Sequence, residues 1–223
     1  MLPLQNIFGV DTLELIAYPK IKRFPLYSVP YRKETLSDEE IAALLDGVVV
    51  VEEKIDGKQY WRDHGDVVVF YEYMGVVHTV FYKKLPSYEI AFDVYDKRTK
   101  RFLTIPEKHE VLKGLGYCYV PVVYVGEVNP ADWRSFIERL LSRPSYYGVE
   151  TWVSENGKEF LTNLPEGVVI KNYSKQLFGK AINRWFDEAV RGKRSYIKER
   201  RFERNILYQG EEWPELCHPN IPV

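Results

Sequence analysis

Lys54 closes an apolar run and stands just before a turn, in the order Glu53-Lys54-Ile55-Asp56-Gly57. A lysine at the rim of a sheet has the placement of a covalent nucleophile. Its amine attacks only when unprotonated, and the ordinary lysine pKa is about 10.4. Burial or a neighbouring cation must bring that value down. Lys171 and Lys180 are the candidate cations, and the same charges suit a triphosphate and a leaving pyrophosphate. Such chemistry also needs carboxylates for Mg²⁺ and ribose hydroxyls; Glu72 and Glu166 qualify, each at the edge of an apolar strand. Two later segments, Phe92-Asp93-Val94-Tyr95-Asp96 and Glu166-Gly167-Val168-Val169-Ile170-Lys171, follow in the order a nucleotidyl-transfer site needs. Singly, each has a plain structural explanation: a turn lysine, a core phenylalanine, a Glu-Gly turn. Their order carries the functional reading.

The elements that position these residues follow from local pattern. Ser37 with Glu40 three residues on forms a capping box. Ile41, Leu44 and Leu45 continue it as a helical stripe that ends at Gly47. Val48 to Glu53 is a β-branched run, expected as a buried strand leading into Lys54. Asp63 to Asp66 is expected as a hairpin turn. Further strands are expected at His78–Tyr82, Ile90–Tyr95, Pro121–Val125, Gly167–Tyr173 and Lys180–Phe186. Helices are expected from Pro106 to Leu115, with proline in the first turn, and from Asn129 to Leu141. Arg143 to Asn163 reads as irregular. The tail from Asp187 reads as helical to Tyr208, then extended. Strands joined mostly by short turns argue for an α+β fold with largely antiparallel sheets.

The 223 residues fit one large domain or one domain with a small appendage. The apolar content of 45% and the 17 tyrosines suit a β-rich core. A net charge of −1 excludes a globally basic nucleic-acid binder, though not a local basic patch. Cys118 and Cys217 form neither a disulfide framework nor a metal-ligand spacing, so free buried thiols in a reducing compartment are expected. The N-terminus lacks a signal-peptide pattern. No apolar run approaches the roughly 20 residues of a membrane span. A soluble, cytoplasmic protein is expected.

Lys54-Ile55-Asp56-Gly57 resembles the nucleophile motif of the covalent nucleotidyltransferase superfamily, which contains DNA ligases, RNA ligases and mRNA capping enzymes. The closest likeness is to the ATP-dependent RNA ligases. Tyr71-Glu72-Tyr73, His78-Thr79, Leu85-Pro86-Ser87-Tyr88 and Ala91-Phe92-Asp93-Val94-Tyr95-Asp96 resemble their central block. Tyr18-Pro19-Lys20-Ile21 resembles their lead-in segment, and Glu166 to Lys171 and Gly179 to Arg184 resemble their last two motifs.

The resemblance implies an ATP-grasp-like ligase adenylation domain of antiparallel sheets flanked by helices over residues 1–186, with a small helical extension over 187–223. It implies that Lys54 attacks the α-phosphate of ATP and forms lysyl-AMP. Glu72 would contact the ribose, Phe92 would stack on the adenine, and Glu166 would bind Mg²⁺ or Mn²⁺. Lys171 and Lys180 would act catalytically at the α-phosphate. Asp56 and Gly57 would shape the turn, and Gln59 would lie near the nucleotide. The implied substrate is RNA with 5′-phosphate and 3′-hydroxyl ends, as in RNA repair. The usual arginine between nucleophile and central glutamate has no counterpart beyond Arg62, and the last motif has one lysine instead of two. About 40 residues follow Phe186, too few for an oligonucleotide-binding barrel. Within them Arg194, Lys198 and Arg201 share a helical face and are candidate RNA-backbone contacts. The alternatives are a DNA ligase, a GTP-using capping enzyme, or a nucleotide- or RNA-end-binding module without catalysis.

Overall fold

A computed structural model of the chain describes residues 17–27, 34–155, 158–192 and 203–222, without the side chains of 152–160 and 191–192. Arg194, Lys198 and Arg201 lie outside the described residues. In chain order the first strands are β1 (Lys22–Arg23), β2 (Val48–Lys54), β3 (Lys58–Asp63), β4 (Val67–Tyr73), β5 (Glu89–Asp96) and β6 (Arg101–Phe102). They are followed by β7 (Cys118–Tyr119), β8 (Val122–Glu127), β9 (Thr151–Glu155), β10 (Lys158–Thr162), β11 (Gly167–Asn172) and β12 (Leu177–Ile182). The helices are α1 (Asp38–Leu45), α2 (Ile105–Gly114), α3 (Trp133–Leu141), α4 (Arg184–Gly192) and α5 (Trp213–Cys217).

Two sheets stack between helical layers. The first runs β1-β12-β11-β2-β8 and the second β3-β4-β5-β6, with β7 beside β5. All pairings are antiparallel except β1 with β12 and β5 with β7. Helices α1 and α3 cover the outer face of the first sheet, burying Ile41, Leu44, Ile137 and Leu140 against Val49, Val51 and Ile170. Val50 faces the other way and packs on Val68 and Phe70 of the second sheet. Strand β2 is thus buried on both faces, which its unbroken valine run demands. Helix α2 covers the far face of the second sheet through Leu112, against Val69, Ala91 and Val94.

The outer helices end where buried asparagines receive them. Asn172 donates to the carbonyls of Leu44 and Asp46 at 3.0 Å each, and Asn183 to those of Leu141 and Pro165 at 3.1 and 3.0 Å. These bonds satisfy orphan groups at the C-termini of α1 and α3. Gly47, with φ +98, makes the left-handed step from α1 into β2 that a side chain resists.

The α+β class, the Ser37 capping box, the Asp63–Asp66 hairpin and helices α2 and α3 follow the local signals. Several expectations about the elements are corrected. His78–Tyr82 is not a strand; only Tyr82 bridges, to Val149. Its backbone donors at Thr79 and Val80 go instead to the Asp56 carboxylate. The stretch read as irregular contains the β9–β10 hairpin. The strand expected at Lys180–Phe186 begins earlier, as β12, and gives way to α4 at Arg184. The tail is helical only in α4 before the undescribed stretch; residues 203–209 are extended, with Leu207 bridging Leu85, and the end expected as extended contains α5.

Cys118 and Cys217 form a disulfide across a sequence separation of 99, so no cysteine is free. The expected free thiols are therefore wrong: α5 folds back onto β7, a proximity that spacing alone does not reveal. Among the described residues no helix is long and apolar enough to cross a membrane. Cross-linking a loop of that size restrains the unfolded chain. Cys217→Ser is expected to cost about 2–5 kcal/mol in chemical denaturation. An unchanged midpoint, or one that reductant does not move in the wild type, would contradict the bond.

Candidate functional site

Lys54 ends β2 in register with Gly167, where β2 and β11 pair. Its side chain points into a cleft of 280 Å³ between the two sheets. The cleft brings Lys54, Gln59, Glu72, Phe92, Lys171 and Lys180 to one lining, roofed by Tyr18 to Ile21. Six of the residues singled out from sequence thus share one wall-to-wall site. Glu166, Asp56 and Gly57 adjoin it.

The Lys54 ammonium donates to Glu166 at 2.9 Å. Glu166 is held from behind, because its carbonyl accepts the Asn183 N–H at 2.8 Å. Burial would push Lys54 down, but the Glu166, Glu72 and Asp56 carboxylates more than reverse this and hold it above the ordinary lysine value. The expectation that Lys171 and Lys180 lower it is corrected; carboxylates, not cations, dominate its surroundings. Burial pushes both Glu166 and Glu72 up to about 7, against the pull of Lys54. Glu72 Oε2 is buried with no hydrogen-bond partner. An orphaned carboxylate oxygen is costly unless a ligand satisfies it.

Asp56 is a structural pin. Its carboxylate accepts the N–H groups of Thr79 and Val80 at 2.6 and 2.9 Å, and its own N–H donates to the Tyr82 hydroxyl at 2.8 Å. Gly57 is required by contact: a Cβ there would sit 2.5 Å from the Met74 sulfur and 2.8 Å from the Tyr73 carbonyl. Gln59 stands beside Glu72 across the β3–β4 ladder. Arg62 lies outside the cleft, paired with Glu89 at 3.1 Å and with the Tyr117 hydroxyl at 3.0 Å.

Phe92 sits at an irregularity in β5. The ladder pairs Phe70 with Asp93 and Tyr71 with Ala91, skipping Phe92. Such a bulge re-aims a side chain and frees its backbone groups. The ring meets Tyr18 edge-on at 4.9 Å between centroids. The Phe92 carbonyl accepts from Lys108 at 2.8 Å and from Lys171 at 2.9 Å.

Those two lysines belong to a buried set that sequence reasoning missed. Lys108 donates to Glu52 and to the Tyr173 hydroxyl. Lys171 donates to Glu52 at 2.5 Å and to Asp93 at 2.8 Å. Tyr18 and Tyr173 also donate to Asp93. Two ammonium groups thus balance two carboxylates, with all four side chains at most 2% exposed. Burial raises Glu52, and the two lysines more than cancel it, so its carboxyl stays below its ordinary value. Burial lowers Lys171, and Asp93 with Glu52 more than restores it. The three donors of Lys171 are all committed here. The double glutamate before Lys54 was a visible signal for Glu52; Lys108, a helix lysine among many, offered none.

Glu53 points to the opposite side of β2. It accepts from the Ser145 hydroxyl at 2.5 Å and from the Tyr146 N–H at 2.9 Å. Burial nevertheless pushes it up to about 7.

A family model described as RNA ligase matches residues 27–186. No curated protein sequence matches the chain. Solved structures are similar at low identity. One is an Aquifex aeolicus chain assigned as an ATP-dependent DNA ligase, with 17% identity and a TM-score of 0.49, covering 82% of this chain and 56% of that one. Another is a Naegleria gruberi RNA ligase mutant with ATP and Mn, with 16% identity and a TM-score of 0.49, covering 83% and 58%. A third is an archaeal ATP-dependent RNA ligase, with 16% identity and a TM-score of 0.44, covering 82% and 55%. The aligned part of this chain thus corresponds to little more than half the length of each.

Two outcomes follow from the electrostatics. Lys108→Met leaves the buried carboxylates one cation short, so a loss of about 3–5 kcal/mol is expected on denaturation, with partial recovery on adding Glu52→Gln. For Glu53, the folded state holds the proton more tightly than the unfolded chain, whose value is near 4.5. Stability should therefore fall as pH rises from about 4.5 to about 7, by up to about 3 kcal/mol relative to Glu53→Gln, and level off above. Parallel stability curves for the two proteins would refute the assignment.

Proposed function

The chain belongs to the RNA ligase family, and from that premise we propose an ATP-dependent RNA ligase that works through Lys54-AMP. The observation that supports this most directly is the shared lining of one cleft by Lys54, Glu72, Phe92 and Lys180. In this reading the Phe92 ring takes the adenine face. A ribose hydroxyl donates to the unpartnered Glu72 oxygen. The Lys54 amine attacks the α-phosphate, the bond to pyrophosphate breaks, and a phosphoramidate forms. The proton leaves Nζ toward Glu166, its partner at 2.9 Å. Lys180 faces the α-phosphate. Lys171, its donors committed and its charge balanced by Glu52 and Asp93, holds the cleft floor in place and does not contact the phosphate. AMP then passes to a 5′-phosphate RNA end, and a 3′-hydroxyl displaces it to seal the strand.

The cleft suits a divalent ion that arrives with the triphosphate. Among the described residues no three His, Cys, Asp or Glu side chains cluster as a metal site. Glu166, with Glu72 near it, would supply one or two carboxylates, and substrate phosphates and water the remaining ligands, a common Mg²⁺ arrangement. Bound there, Mg²⁺ or Mn²⁺ supplies neutralising charge to the phosphates. Arg194, Lys198 and Arg201 are proposed to contact the RNA backbone, which would make binding salt-dependent.

Incubation with α-labelled ATP and Mg²⁺ should leave a label on the protein that survives denaturing electrophoresis and alkali and is released by hot acid, as a phosphoramidate is, and Lys54→Ala should reduce it to background. Equal labelling of the variant sinks the nucleophile assignment. Preference for GTP, or sealing of DNA nicks alone, would replace the RNA-ligase reading by its capping or DNA-ligase rival.

A further inference from the structure

Asn205 lies beyond the 27–186 span that matches the family model. It is nonetheless wired into the turn that carries Lys54. Its side chain is buried, 2% exposed, and fully used. Oδ1 accepts the Tyr82 N–H at 2.9 Å, and Nδ2 donates to the Met74 carbonyl at 2.8 Å and the Val76 carbonyl at 3.5 Å.

Tyr82 and Met74 are among the residues against which the turn after Lys54 rests. The Tyr82 hydroxyl accepts the Asp56 N–H, and the Met74 sulfur fills the space that only a glycine at 57 leaves open. One amide from the tail therefore fixes the distance between both supports. The neighbouring backbone reinforces it: Ile206 donates to the Tyr82 carbonyl at 2.9 Å, and Leu85 to the Ile206 carbonyl at 3.0 Å. The far end of the tail is fastened by the disulfide to Cys118.

We propose that the tail completes the nucleophile site and that Asn205 is a positioning residue for Lys54, acting through Tyr82 and Asp56 on one side and Met74 and Gly57 on the other. This rests on the reading of Lys54 as the adenylylated residue. Displacing a reacting group by a fraction of an ångström slows chemistry without weakening the binding of a substrate held elsewhere in the cleft. Asn205 touches none of the residues assigned to the base, ribose or phosphates, so its loss should appear in the rate at saturating ATP.

The test is the rate of label transfer from α-labelled ATP to the full chain. Asn205→Ala and Tyr82→Phe are each expected to slow transfer at saturating ATP by about ten- to a hundredfold. The KM for ATP should stay within about twofold. The double variant should be little slower than the worse single one, because both act on one connection. Tyr82→Phe removes only the hydroxyl and keeps the core, so it decides the matter where Asn205→Ala fails to fold. Wild-type rates in the folded variants, a loss carried by KM, or a loss matching the unfolded fraction in a thermal melt would each overturn the proposal. A wild type that takes no label overturns the reading beneath it instead.

Discussion

Two ammonium groups converge on one carbonyl oxygen, that of Phe92, and the rest of the site depends on this contact. The β4–β5 ladder skips Phe92, which leaves its carbonyl free for Lys108 and Lys171. Two buried cations are affordable only with two buried anions, and Glu52 and Asp93 supply them. Helix α2, strand β11, strand β5 and strand β2 each contribute one charge. No one of these elements can shift without stranding a charge away from water. Glu52 stands two residues before Lys54 on the same face of β2, so the neutral floor and the proposed nucleophile share a strand.

Neutrality of the floor explains the field at Lys54. With the charges of Lys171, Lys108, Glu52 and Asp93 cancelled among themselves, the carboxylates of Glu166, Glu72 and Asp56 are left to act on the Lys54 ammonium. The excess of negative charge raises the lysine, while burial above all keeps Glu72 and Glu166 near 7. Without ligand the site therefore favours a protonated, unreactive amine. In the proposed chemistry the carboxylates become partners of ribose hydroxyls and of a cation that accompanies the phosphates. Their hold on the Lys54 proton weakens when the substrate is in place.

What was legible in the sequence was what local physics dictates. Four valines before two glutamates and a lysine require a strand buried on both sides, and Ser37 with Glu40 requires a helix start. The motif residues could be placed in one site because each lies on or beside a strand of the two stacked sheets. The failures share the opposite cause. His78–Tyr82 alternates like a strand, yet Asp56, more than 20 residues earlier, takes its donors. Lys108 is indistinguishable in sequence from a solvated helix lysine until α2 packs on β5. The pairing of Cys118 with Cys217 depends on the tail returning to β7, and the basic tail suggested helix where residues 203–209 run extended. Long-range contacts decided each of these, and no local periodicity reports them.

The path of the tail also bears on why the turn after Lys54 is well held. Ile55, the next residue, packs in a core cluster with Met74, Tyr82, Trp185, Ala189 and Leu216. Three of those partners come from Trp185 onward, at or past the end of the stretch matching the family model. The turn is thus gripped from two directions: through β2 by the charge-balanced floor, and through Ile55 and Asp56 by apolar and hydrogen-bonded contacts that α4 and the tail help to build. A nucleophile that must meet a phosphorus atom in line benefits from both. The floor sets where the strand ends, and the tail-supported segment sets where the chain turns, so the Lys54 side chain leaves the strand between two fixed points.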